Sequence, residues 1–263
     1  MPYASIGDAE IYYEQAGTGE PLLFASGLGG TADFWDKVKP YFAEFFQVTT
    51  FDHRGCGKST KSDVEYTVDK MTLDAIQLLD ALGIEACHFI GHSTGGAMGQ
   101  IAAQDFSSRV KTLTLSATWA GYDAYFQRCF EIRQELLRVN GLETYTKASN
   151  LYLWPSYWIS ENEATLASRE SKALSNPNIP VHILERRLAA LRAFDRRARI
   201  GEITCPTLVI SARDDVLTPL HLSAELAQKI NSAQWETLER GGHFAPIVEA
   251  EDFAKRVLGF LKQ

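Results

Sequence analysis

The run Cys87-His88-Phe89-Ile90 leads without a break into Gly91-His92-Ser93-Thr94-Gly95-Gly96, and a helical pattern over Gly96 to Gln104 follows. A short apolar run, a glycine-flanked turn and a helix are the parts of a sharp strand-to-helix reversal. Glycines two residues before and two after Ser93 let the backbone close that turn and lift the serine oxygen clear of the sheet edge. Free N–H groups and the positive dipole end of the following helix favour negative charge developing beside the oxygen. Composition alone yields Gly-x-Ser-x-Gly in about one chain in ten of this length, so the pattern by itself says little. Its strand and helix neighbours, with Gly96 as an added glycine, make Ser93 a candidate nucleophile.

Outward from this turn the same rhythm continues. Pro21 to Ala25, Phe46 to Phe51, Ala86 to Ile90 and Val110 to Leu115 read as strands. Ala32 to Phe45, interrupted at Pro40, and Val68 to Leu82, closed by Gly83, read as helices. Alternation of this kind predicts an α/β protein whose mostly parallel sheet is flanked by helices on both faces. Near the start, Ile11-Tyr12-Tyr13 and the run ending at Phe24 flank Gly17-Thr18-Gly19, which predicts an antiparallel hairpin.

After Ser116 the rhythm breaks. Residues 117–203 carry helical patterns and no clear strand, the best being Arg128 to Leu137 and Val181 to Phe194. So long a connection predicts an inserted helical cap, leaving residues 1–116 and 204–263 as the core. The sheet pattern resumes with Thr207 to Ile210, then a helix over Leu220 to Ile230, a strand over Gln234 to Leu238 and a last helix over Ala250 to Leu261.

A serine hydroxyl is a weak nucleophile near neutral pH and needs a base, which in this strand order follows an acid downstream. Among six histidines, His243 in Glu239-Arg240-Gly241-Gly242-His243-Phe244 stands just after the last predicted strand, where a loop can carry imidazole back over the sheet. His92 is expected to pack beside the nucleophile; His53, His88, His182 and His221 read as structural or surface groups. After Thr207 to Ile210, Asp214 and Asp215 both offer the carboxylate that would hold the histidine tautomer. The backbone N–H groups of Thr94 and of Leu28, in Ser26-Gly27-Leu28-Gly29-Gly30, are the expected oxyanion donors. That loop fits neither phosphate-binding glycine pattern, and Asp52 to Ser59, though it ends in Gly-Lys-Ser, lacks the first glycine of a P-loop.

Composition narrows the remaining classes. The 263 residues are 45% apolar, ordinary for a chain with a sizeable core, and carry a formal charge of −7. A net acidic surface disfavours nucleic acid and anionic lipid as general partners. No spanning apolar stretch occurs, and Met1 to Asp8 lacks the pattern of a signal peptide, so a cytoplasmic location is expected. The four cysteines show no CxxC spacing and read as reduced, packed thiols. Neither metal nor cofactor is expected. A small-molecule substrate is the expected partner, and a homodimer is one assembly open to the chain.

Together these motifs resemble the α/β-hydrolase superfamily over nearly the full length. Within it, Ser26 to Gly30, Phe34-Trp35, Arg128-Cys129-Phe130, Leu151 to Pro155, Arg186-Arg187-Leu188 and Asp214-Asp215 resemble the RutD-type hydrolases of uracil breakdown, assigned to aminoacrylate or carbamate hydrolysis. More distantly the chain is similar to the 3-oxoadipate enol-lactonases. The resemblance implies an α/β-hydrolase fold with a helical cap and, from a Gly-x-x-Asp-x-x-x-Pro pattern ending at Pro219, Asp215 as the acid. It implies a cofactor-independent serine hydrolase: Ser93 attacks, His243 moves the proton, and an acyl-enzyme yields to water. An enol-lactonase, a carboxylesterase and a non-catalytic ligand-binding homologue are the rival readings.

Ten of the 15 arginines fall between Tyr122 and Ile200, so residues 120–200 carry +3 against −10 for the rest. A planar guanidinium facing the pocket would pair with a substrate carboxylate. Arg128, Arg186 and Arg187, with Trp119 and Trp154, are the expected substrate contacts.

Overall fold

The computed structural model describes residues 2–263. Eight strands form one sheet: β1 (Tyr3–Ser5), β2 (Glu10–Ala16), β3 (Glu20–Ala25), β4 (Phe46–Phe51), β5 (Cys87–His92), β6 (Val110–Ser116), β7 (Thr207–Ala212) and β8 (Ala233–Leu238). Their order is β1-β2-β4-β3-β5-β6-β7-β8, antiparallel at the first two pairings and parallel from β4 onward. The side chains of β3 show why both faces are filled: Leu22 and Phe24 join one buried cluster, Leu23 and Ala25 the other. Such strands are apolar on both faces because helices cover both.

One face carries α2 (Val68–Ala81), α3 (Thr94–Asp105) and α8 (Leu220–Lys229). The other carries α1 (Lys39–Ala43), the short α9 (Ala245–Val248) and α10 (Ala250–Leu261), whose Phe253, Val257 and Phe260 are buried. Thr67 starts α2 by accepting the Lys70 N–H at 3.0 Å, and Gly83, at φ 68°, turns the chain out after it. The expected helix over Ala32 to Phe45 is instead a 3-10 turn, Ala32–Trp35, and then α1. The break precedes Pro40, which sits in the first turn of α1, where a missing N–H costs nothing.

The predicted hairpin is not formed. β2 and β3 are neighbours in sequence only, since β4 lies between them, antiparallel to β2 and parallel to β3. Gly17 lets the connection cross the end of β4: at φ 75°, a Cβ there would stand 2.2 Å from the Ala43 carbonyl oxygen and 2.4 Å from that of Phe46. The glycines therefore serve a close backbone crossing and not a two-strand turn.

Between β6 and β7 the chain is helical: α4 (Ala124–Leu153), α5 (Ser156–Glu161), α6 (Glu163–Ser175) and α7 (Val181–Ala193). Gly141, at φ 80° and ψ 179°, breaks the helical run of α4. A single antiparallel bridge between Gly121 and Asp195 ties the chain entering this segment to the chain leaving it. No helix among the described residues is long and apolar enough to cross a membrane.

Candidate active site

Ser93 joins β5 to α3 with φ 53° and ψ −116°, a region L-residues seldom occupy. Its N–H donates to the Ser116 carbonyl at 2.8 Å, and its own carbonyl accepts from the Thr118 hydroxyl at 2.8 Å and the Gly96 N–H at 2.9 Å. The flanking glycines make the turn feasible. A Cβ at Gly91 would lie 2.1 Å from the Gly95 carbonyl oxygen, and one at Gly95 would lie 2.0 Å from that of Ala25.

The loop after β8 brings buried His243 to buried Asp215, with Nδ1 2.9 Å from Oδ2. Asp215 is held by the turn after β7: Oδ1 accepts the N–H groups of Leu217 (2.8 Å) and Thr218 (2.9 Å), and Oδ2 accepts the Thr218 hydroxyl (2.7 Å). A carboxylate at Nδ1 assigns the ring proton there and leaves Nε2 as the basic nitrogen. Asp214 does something different. Its oxygens accept the N–H groups of Gly242 (2.9 Å) and Gly241 (3.3 Å), anchoring the loop that carries His243. Of the two carboxylates left open by the local sequence, Asp215 is the one at the imidazole. Thr218, whose oxygen is also 3.1 Å from His243 Nδ1, was not anticipated; a hydroxyl three residues after an aspartate in a turn was the available signal.

Ser93 and His243 open onto one cavity of about 710 Å³, with no direct hydrogen bond between them among the described residues. In unliganded sites that contact commonly tightens only once substrate is bound. The loop Ser26 to Gly30 forms another wall, and a Cβ on Gly27 would come 3.2 Å from Ser93 Cβ. Neither the Leu28 N–H nor the Thr94 N–H has an acceptor among the described residues. His92 stacks on Phe34, with Nδ1 3.2 Å from Ser116 Oγ; burial, with His243 beside it, holds His92 well below the usual histidine range.

The family model for the α/β hydrolase fold matches residues 20–250. The chain belongs to the α/β-hydrolase family. It is 38% identical over 261 residues to the protein named "Putative carbamate hydrolase RutD" of Azorhizobium caulinodans, spanning 99% of this chain and 98% of that relative. A protein of the same name from Stutzerimonas stutzeri is 36% identical over 258 residues, 96% of this chain and 97% of the relative. Among solved structures, the enol-lactonase from Burkholderia xenovorans LB400 superposes with a TM-score of 0.91 at 25% identity, each chain fully covered.

In this α/β-hydrolase the expected substrate contacts are not brought to the cavity. Trp119 is fully buried against Phe126 and Phe194, in the core beneath α4. Trp154 is buried behind Phe244, stacked on Trp158 at 3.9 Å between ring centroids. Arg128 is exposed and lines neither cavity wall. Arg186 pairs with Asp63 at an outer groove, because α7 turns that face toward the loop before α2. Arg187 points inward yet ends on main-chain carbonyls.

Arg133, which sequence reasoning did not single out, does line the cavity. It is buried, its Nε donating to Ser149 Oγ at 3.2 Å and its Nη2 to the Tyr145 hydroxyl at 3.1 Å, with the Phe130 ring centroid 4.9 Å from its central carbon. No carboxylate lies within ion-pair distance of it among the described residues. In sequence it is one arginine of ten, and nothing local says which way α4 turns it.

Proposed function

We propose that this α/β-hydrolase is a cofactor-independent serine hydrolase of small anionic acyl compounds, cleaving a carbamate-type C–N bond, with residues 117–203 as a cap over the catalytic face. Ser93 Oγ attacks the carbonyl carbon while His243 Nε2 takes its proton; Asp215 stabilises the imidazolium, and the N–H groups of Leu28 and Thr94 receive the oxyanion. The C–N bond then breaks as His243 returns the proton to the departing nitrogen. Water, deprotonated by the same imidazole, releases the acyl group from Ser93.

The observation that carries this reading is the buried Asp215–His243 pair at 2.9 Å facing the cavity onto which the strained Ser93 opens. The names of the curated relatives support the bond type. Arg133 supports the charge, because a buried guanidinium without a carboxylate is costly until an anion arrives.

A second reading, an enol-lactonase or carboxylesterase, is favoured by the cavity itself. About 710 Å³ is far more room than a carbamate fills and matches sites for larger ligands, and the structural neighbour from Burkholderia xenovorans is named an enol-lactonase. A fluorophosphonate should label Ser93, and Ser93→Ala should lose at least about 10³-fold in kcat. Wild-type turnover by Ser93→Ala would sink the mechanism. A panel of carbamates, short esters and lactones separates the two bond types.

A further inference from the structure

Arg187 is among the most deeply buried side chains of the molecule, and no carboxylate neutralises it among the described residues. It leaves α7, in the segment between β6 and β7, and enters the core. Its Nε and Nη2 both donate to the Leu28 carbonyl, at 3.2 and 3.1 Å, and its Nη1 donates to the Arg54 carbonyl at 3.4 Å. Nη2 also stands 3.1 Å from His53 Nδ1. Burial, with this guanidinium, holds His53 well below the usual histidine range, so its Nδ1 remains a neutral acceptor. Burying such a group is costly, and hydrogen bonds to main-chain oxygen only partly offset the cost.

The two bonds to the Leu28 carbonyl fall on the second of two consecutive peptide planes. The Leu28 N–H belongs to the Gly27–Leu28 peptide, whose carbonyl accepts the Gly30 N–H at 3.0 Å. The next plane, Leu28–Gly29, ends in the carbonyl that Arg187 grips with two donors. Fixing the second plane removes the rotation at Leu28 that would otherwise swing the first N–H away from Ser93. Planarity matters here, because a two-donor grip on one oxygen is within reach of a guanidinium and not of an ammonium. We infer that Arg187 is the positioning residue of the oxyanion hole, a brace from the helical segment that aims the Leu28 N–H at the developing oxyanion. This rests on the serine-hydrolase reading above.

The test uses the full chain as Arg187→Met and Arg187→Lys, assayed with p-nitrophenyl acetate and with a phenylboronic acid as a mimic of the tetrahedral oxyanion. The expected result is a fall in kcat of about 10- to 100-fold with little change in KM, below the roughly 10²- to 10³-fold that deleting a whole donor costs. Boronate affinity falls in parallel, and Arg187→Lys lies between Arg187→Met and wild type. A purely structural arginine would lower the melting temperature while leaving kcat per folded molecule and boronate affinity unchanged, and that result overturns the inference. Should Arg187→Met fail to fold, Arg187→Lys decides, and wild-type kcat in it is equally fatal. If fluorophosphonate fails to label Ser93 in the wild type, the serine-hydrolase reading falls and takes this inference with it. Labelled wild type with an unimpaired variant overturns the brace alone.

Discussion

Arg133 and Arg187 are both buried guanidiniums without a carboxylate, and the difference between them lies in what their donors meet. Arg187 spends its donors on main-chain oxygens. Arg133 spends two on neutral hydroxyls, lines the cavity and keeps a net charge there. An incoming carboxylate would gain a charge-assisted bond of the stronger kind. Arg133→Gln should therefore raise KM for an anionic ester such as a succinyl monoester by about 10-fold or more while changing KM for the matched neutral ester little. Equal effects on both esters would assign Arg133 to packing. The sharp turn at Ser93 was legible in the sequence because its glycines are a local requirement of that turn, and the place of His243 because it follows the last strand. The direction of an arginine in the helical segment between β6 and β7 was not. Arg128, Arg133, Arg186 and Arg187 are alike as letters, and their fates are set by how α4 and α7 are rotated on the core.

Elements were read correctly wherever a local period sufficed. The 3.6-residue spacing of α10 gives its observed span, and the unbroken apolar runs of β3, β5 and β7 announce strands covered on both faces. Pairing is another matter. A glycine turn between two apolar runs has the same local sequence whether the runs pair with each other or admit a third strand, and here β4 enters. Gly17 is where this difference becomes measurable. In a free hairpin turn an alanine at positive φ costs about 1 kcal/mol; here its Cβ would also overlap two carbonyl oxygens belonging to the α1–β4 junction. Gly17→Ala should lower unfolding stability by about 2–4 kcal/mol in urea denaturation with kcat of the folded protein unchanged. A loss within about 1 kcal/mol would mean that the crossing is not tight.

For the whole molecule, the contrast between a basic helical segment and an acidic remainder is largely spent within the fold. Arg186 pairs with Asp63, Arg196 with Asp69 and with Asp105 at 3.0 Å, and Arg199 with Asp105 at 2.8 Å, each joining residues 117–203 to the core. Exposed pairs of this kind are each worth little, so they set the seat of the segment more than its stability. The pH dependence of stability comes from deeper groups. His53 and His92 are fully enclosed, and both are held well below the ordinary histidine value near 6.5 by burial, with Arg187 beside one and His243 beside the other. The folded protein therefore keeps them neutral while the unfolded chain protonates them as pH falls through about 6.5. Their contribution is intact above that pH and is lost below it, with a slope approaching about 1.4 kcal/mol per pH unit for each, or about 2.7 for the pair. This window lies above the range in which the paired carboxylates Asp8 and Glu14, whose own values are lowered by Arg54 and Lys39, lose their contribution as pH falls. Urea midpoints measured from pH 8 to 5 should be flat down to about 6.5 and then decline, and His92→Phe should remove about half of the decline. A midpoint that stays level to pH 5 would show that both rings take up protons without unfolding.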